Sequence, residues 1–275
     1  KSRSELWHSG ASAYSIYHFA DFSELVFKEL RNNAKQLEWE KFLRPVDRLT
    51  IRVTCHKSRL IHSDAVAERV QLAIADRLGA AQKILANKES ASTIRKSRGH
   101  APAKSQTPNT AVETSTHTIV VRLLNDECAI SLDTSGELLH FRGYRQAIAK
   151  APLRETLAAS MILASGWKPG QPLIDPLCGS GTIPIEAACI ARHIAPGLHR
   201  SFAFEHWPKF ERGVWQKLIA QAAESILPHT PSIIRGSDRD AGAIEASRSN
   251  AERADVLADI EFKQQAVSSI ESIAT

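Results

Sequence analysis

From Arg48 to Cys55 apolar and polar residues alternate without a break: Leu49, Ile51, Val53 and Cys55 against Arg48, Thr50, Arg52 and Thr54. A period of two is that of a strand with one buried and one wet face. Beyond Ser63 or Asp64, either of which suits a helix cap, Val66, Val70, Ile74 and Leu78 recur every fourth residue and predict an amphipathic helix. Ser23–Asn33 predicts another helix upstream. His117–Leu124 and Ala129–Leu132 read as strands joined across Asn125–Cys128, followed by a turn at Ser135–Gly136 and a further strand over Leu138–Phe141. Between these groups, Asn87 to about Ser115 is rich in Ser, Thr, Lys and Pro and shows no period. Such a composition buries too little surface to offset ordering, so residues 87–115 are expected to be a mobile loop. The pattern of residues 1–145 is that of a small α+β module with an inserted loop.

The pattern changes after Tyr144. Pro152 suits the first turn of a helix whose apolar face holds Leu153, Leu157 and Met161 and which Gly166 ends. Leu173–Ile174 open a short buried strand, Asp175–Thr182 form a glycine turn, and Ile183–His193 continue as a helix rich in Ala and Ile. Strand Ser232–Arg235, acidic turn Gly236–Asp240, helix Ala241–Ala254 and strand Asp259–Lys263 follow. That order is a right-handed βαβαβ unit with parallel strands, so residues 146–275 are expected to be α/β.

Composition narrows this further. The 275 residues, 43% of them hydrophobic, suffice for one or two domains with real cores. Lys and Arg number 35 against 30 Asp and Glu, a surplus that is compatible with an anionic partner without demanding one. Cys55, Cys128, Cys178 and Cys189 lie too far apart for a CxxC pair, which argues against a disulfide scaffold and for a reducing, cytoplasmic setting. His193, His199 and His206 are isolated, so no metal centre is expected. No apolar run approaches the ~20 residues of a membrane span.

Three clusters carry candidate chemistry. In Asp175-Pro176-Leu177-Cys178-Gly179-Ser180-Gly181-Thr182 the two glycines let backbone N–H groups approach a ligand, and the helix start beyond them favours anions. The alternative is a plain structural turn. Pro184 stands where a GxGxxG fingerprint needs its third glycine, which argues against a dinucleotide. In Gly236-Ser237-Asp238-Arg239-Asp240, Asp238 ends a strand and can accept hydrogen bonds from ribose hydroxyls. It could instead cap the next helix, although Asp240 suits that task better. Arg142-Gly143-Tyr144-Arg145 suits phosphate and base contacts, or equally a structural turn with surface arginines. Lys57, Arg59 and His62, on the loop before the Ser63 helix, stand under the same two readings.

The motifs Asp-Pro-x-Cys-Gly-Ser-Gly-Thr and Gly-Ser-Asp-x-Asp resemble the S-adenosylmethionine site of N-directed nucleic-acid methyltransferases. LDTSGELLHFRGYR, APLRETLAASMILASGW and IEAACIARHIAPGLHR are similar to the THUMP-linked methyltransferases that form N2-methylguanosine, above all the large-subunit rRNA branch. The resemblance implies a partial ferredoxin-like element and a THUMP RNA-binding module over 1–145, then the first half of a Rossmann-type methyltransferase over 146–275. It implies S-adenosylmethionine as cofactor and RNA as partner. It places Gly179, Ser180 and Gly181 along the methionine part, Asp175 near its amino group and Asp238 on the ribose, with Pro176, Cys178, Thr182 and Arg239 around them. Lys57, Arg59, His62, Arg142 and Arg145 would meet RNA. Two departures stand out: Ala266 occupies the place where members carry an acid after the third strand, and the Asn/Asp-Pro-Pro-Tyr/Phe motif is absent. The chain is therefore expected to be a fragment, with its catalytic residues elsewhere.

Overall fold

The structure, a computed structural model, describes residues 16–22, 27–79, 115–146 and 153–270. All of the expected loop except Ser115 lies outside them, as does Pro152. Two compact units emerge, one running up to Glu137 and including Phe202–Glu211, the other built from Leu138–Ser201 and from Arg212 onward.

The first unit is a four-stranded sheet of β1 (Ile16–Phe22), β2 (Arg48–His56), β3 (Thr116–Leu124) and β4 (Glu127–Asp133), in the order β1-β4-β3-β2. β4 runs antiparallel to β1 and β3, and β2 parallel to β3. Helices α1 (Phe27–Gln36) and α2 (Ser63–Leu78) share one core with the sheet: Leu30, Leu49, Ile51, Val70, Ile74, Ile119, Val121 and Ile130 are buried together. The alternation in β2 thus does what it predicts, burying Leu49 and Ile51 and exposing Arg48 and Arg52. α2 starts one residue earlier than its candidate caps allow: His62 holds the cap position without a side-chain bond, and Ser63 is already helical. Its end is conventional, with Gly79 in the left-handed region at φ +69° and its N–H on the Ala75 carbonyl.

The β3–β4 connection is tighter than the sequence suggests. Leu124 pairs with Glu127, and Asn125 and Asp126 between them take φ +52° and +65°. Two successive positive φ values make the hairpin turn whose twist matches the strands, so β4 begins at Glu127 rather than Ala129. Leu138–Phe141 is not a strand; the Phe141 N–H closes a turn on the Leu138 carbonyl at 3.0 Å. A less expected member of the first unit is Phe202–Glu211. Its Trp207 packs edge-on against Phe42, ring centroids 4.9 Å apart, and joins the core.

The second unit holds three parallel strands, β5 (Leu173–Asp175), β6 (Ile234–Asp238) and β7 (Ile260–Gln264), in that spatial order. Its helices are α3 (Glu155–Ala164), α4 (Thr182–Ala191), α5 (Arg212–Glu224) and α6 (Ala241–Arg253). β6 lies further along the chain than Ser232–Arg235, because Gly236, Ser237 and Asp238 stay in register with Phe262, Lys263 and Gln264. The expected apolar face of α3 is also wrong: Leu157 and Met161 are half exposed, while Glu155, Thr156, Ala158, Ala159 and Ile162 are buried. On the buried side the small Ala158 and Ala159 and the branched Ile162 make up the apolar surface, and Glu155 there meets Arg145, whose Nε lies 3.2 Å from its Oε1.

Candidate ligand-binding site

The C-terminal ends of β5 and β6 carry the two carboxylates singled out in the sequence. Asp175 closes β5 and Asp238 closes β6. Between them the chain turns through residues 176–181 into α4. Asp238 Oδ2 accepts the Gly179 N–H at 3.0 Å, and Oδ1 accepts that of Asp240 at 3.0 Å. The Cys178 N–H bonds the Ser237 carbonyl at 2.9 Å, and the Leu177 N–H bonds Asp175 Oδ1 at 3.1 Å. A carboxylate has about four acceptor positions, so both retain capacity for a ligand. Burial raises the Asp175 pKa, the Leu177 N–H works against the rise and the neighbouring Asp238 adds to it. As the sequence favours, Asp240 caps α6 through the Gly242 N–H.

The glycines divide the work. Gly181, at φ +82°, packs so closely that a Cβ would stand 2.8 Å from Ser247 Cβ and 3.3 Å from Phe262. Gly179, at φ +54°, faces open space, with nothing within 4 Å of where a Cβ would stand. The first permits α4 to close on α6; the second leaves room beside backbone N–H groups. No side chain caps α4, so its first N–H groups, Pro184 excepted, stay available to an anion or a polarised oxygen.

Of the nine residues expected to hold a ligand here, Cys178, Ser180, Gly181 and Thr182 are buried. Burial pushes the Cys178 thiol pKa up to about 12. Thr182 Oγ1 accepts Arg145 Nη2 at 2.7 Å, and the Ser180 carbonyl accepts Asn250 Nδ2 at 3.1 Å. These four build the turn, while Asp175, Pro176, Gly179, Asp238 and Arg239 keep some exposure. Asn250 belongs to no motif of the sequence. It is an amide on the buried face of α6 beside Ala243, Ile244 and Ala251, and a polar residue in that stripe is the signal. Gln265 is the other such residue, its N–H bonding the Asp238 carbonyl at 3.0 Å next to Ala266.

The arginine segment requires correction. Arg142 is 6% exposed and gives Nη2 to Glu186 Oε2 at 3.2 Å; Tyr144 gives its hydroxyl to the other oxygen at 2.9 Å. Arg145 is bound to Glu155, Thr182 and the Leu153 carbonyl. Both cations are spent inside the second unit on Glu186 and Glu155, which does not leave them to meet phosphates. Burial pushes Glu155 up to about 7, with Arg145 opposing. In the first unit, Arg59 is held through Nε and its backbone N–H by Asp126 at 2.9 and 2.7 Å, whereas Lys57 and His62 are exposed. No group of three or more His, Cys, Asp or Glu placed to hold a metal occurs among the described residues, nor a helix long and apolar enough to cross a membrane.

Residues 142–274 match the family model UPF0020, described as RMKL-like, methyltransferase domain. This half has a Rossmann-like methyltransferase fold. Solved structures agree over almost the whole chain. A predicted N6-adenine-specific DNA methylase from Listeria monocytogenes is 30% identical over 98% of this chain, with a TM-score of 0.79. A possible methylase from Clostridium difficile 630 is 31% identical over 97%, TM-score 0.74. SMU.472, a candidate methyltransferase complexed with SAH, is 27% identical over 94%, TM-score 0.73. The chain spans 65, 66 and 62% of those longer chains, respectively. The second unit supplies a donor set that fits an S-adenosyl cofactor: an open glycine, an uncapped helix start and two carboxylates with spare lone pairs.

Proposed function

We infer that this chain carries the cofactor-binding half of an S-adenosylmethionine-dependent nucleic-acid methyltransferase. The observation that carries this is the turn clamped by Asp238 on Gly179, with open space above the glycine. Asp238 would accept ribose hydroxyls, Asp175 the amino group, and the N–H groups around Gly179 the methionine end. S-adenosylmethionine supplies a methyl group already activated on a sulfonium sulfur. What the protein adds is position and exclusion of water. Ala266 brings no carboxylate to the adenine, so recognition there falls to backbone and to other side chains.

For the substrate, the reading is the exocyclic amine of a guanine in large-subunit rRNA, with residues 1–145 a THUMP-type RNA-binding module. The motif similarity from Leu132 to Arg145 supports it. The description of the Listeria protein favours a second reading, an adenine N6 in DNA. Tritiated-methyl transfer by the full-length protein to undermethylated rRNA, tRNA and DNA, followed by nucleoside analysis, decides between them. Labelled N2-methylguanosine from rRNA is the expected product; N6-methyladenine from DNA would replace it by the second reading. Titration calorimetry showing no binding of SAH would overturn both.

A further inference from the structure

One surface of the first unit takes no part in its core. On β2 the positions that alternate with Leu49 and Ile51 are Arg48, Thr50, Arg52, Thr54 and His56; on β3 they are Thr116, Thr118, Val120, Arg122 and Leu124. Arg48, Arg52 and Arg122 are all exposed, and among the described residues none is paired with a carboxylate. The register sets Arg122 opposite Thr54 on the adjacent strand. At ~3.3 Å per residue, the three guanidiniums span roughly 20 Å along the sheet. Between them lie the hydroxyls of Thr50, Thr54 and Thr118, and Lys57 follows directly where β2 ends. The outward positions of β2, β3 and β4 hold two carboxylates, Glu127 at the hairpin end and the buried Asp133 at the other end of β4, and one ring, the exposed His56 at the end of β2.

We propose that this sheet face is an RNA-backbone contact surface, with Arg48, Arg52 and Arg122 meeting successive phosphates and the threonines bonding phosphate and sugar oxygens. The proposal rests on the nucleic-acid reading above and deepens it. Its physical content lies in how charge and hydroxyls are spaced along the face. Sequence-specific recognition of single-stranded RNA on a sheet uses aromatic side chains that stack splayed bases. Here the single ring stands at one end of the face, while the arginines and hydroxyls spaced along it suit phosphate and sugar oxygens, contacts that contribute affinity and orientation. Three unpaired guanidiniums on one rigid surface match the charge of a polynucleotide, which holds its anions in a row. They are also distinct from Arg59, whose charge Asp126 already meets at 2.9 Å.

The test compares the full-length protein with a triple variant, Arg48→Gln, Arg52→Gln and Arg122→Gln. A lysine triple at the same positions and a control with Arg31, Lys35 and Arg69 changed to Gln accompany it. Circular dichroism verifies folding, and binding is measured against salt for two unrelated single-stranded RNAs, a DNA of the same length and phosphatidylserine vesicles. Each lost phosphate contact on a single strand lowers the log–log salt slope by ~0.7, so the glutamine triple should lose about 2 in slope. Both RNAs should weaken alike, by about 10–100-fold at low salt, while the lysine triple and the control hold near wild type. An unchanged slope, a loss confined to one RNA sequence, or a loss confined to DNA or vesicles overturns the proposal. SAH binding is measured in parallel. Its absence with arginine-dependent RNA binding intact would remove the methyltransferase reading and leave this surface standing.

Discussion

The segments Asp175–Thr182 and Arg142–Arg145 present the same promise in sequence: glycine beside residues able to bind an anion. In the folded chain they part. Asp238 at the glycine turn bonds two backbone N–H groups and keeps lone pairs facing outward. Arg142 is buried on Glu186, and Arg145 is distributed over Glu155, Thr182 and the Leu153 carbonyl. The difference lies in who completes the hydrogen bonds. A carboxylate at a strand end exhausts only part of its capacity on the chain, whereas a buried guanidinium must place its donors internally or leave a desolvated charge. Charge and glycine content therefore mark both segments, and burial decides which one keeps capacity for a ligand.

The strongest way to break this contrast is to remove the partner of Arg142. Glu186→Ala leaves a buried cation and a buried tyrosine hydroxyl without their acceptor, and should cost about 3–5 kcal/mol in chemical denaturation. A loss near zero would mean that Arg142 swings out to solvent. Next comes pH. Glu155 titrates near 7 in the folded protein against an ordinary value of 4.5, so the unfolded chain releases its proton first. Stability is then unpenalised below about pH 4.5, falls as pH rises from there to 7 and stays low above, by about 3 kcal/mol in all. Glu155→Gln should flatten that fall between pH 4.5 and 7; an unchanged profile would assign it to another group.

On the other side of the comparison, Asp238→Asn should weaken SAH binding by about 1.5–3 kcal/mol, the range for hydrogen bonds to a charged group, while arginine-segment variants that fold leave it unmoved. Titration calorimetry measures this. Gly179→Ala is the finest probe. Its left-handed φ costs a side chain about 1–2 kcal/mol of stability, and the open space around it adds no clash. The methyl would nevertheless occupy that space, so SAH affinity should drop at least tenfold. A variant that binds SAH as wild type does would show that the ligand does not approach this glycine.

Much of the fold can be read from pattern alone, because a period of two or four needs only one buried face to be correct. β2, β3, α2 and the parallel βαβαβ order of the second unit follow in this way. The reading fails where periodicity is silent. α3 is apolar on nearly every side, so Leu157 and Met161 look as core-like as Ala158 and Ile162, and its pattern alone does not say which side turns in. The tight turn at Asn125 and Asp126 depends on two positive φ values that Asn and Asp tolerate but do not announce. In the candidate site, Asp175, Gly179 and Asp238 stand out through their motifs. Asn250 and Gln265 do not, since their partners are backbone groups some 70 and 27 residues away in the chain.

Trp207 also bears on the order in which the protein is made. The core of the first unit includes a ring that is translated only after the strands, helices and glycine turn up to residue 206. At ~5–20 residues per second, the interval between Glu137 and Trp207 is roughly 4–14 s on the ribosome. Throughout it Phe42 lacks the ring that covers it in the folded unit. Pausing after Glu137 should lengthen that exposure, and pausing after Glu211 should not.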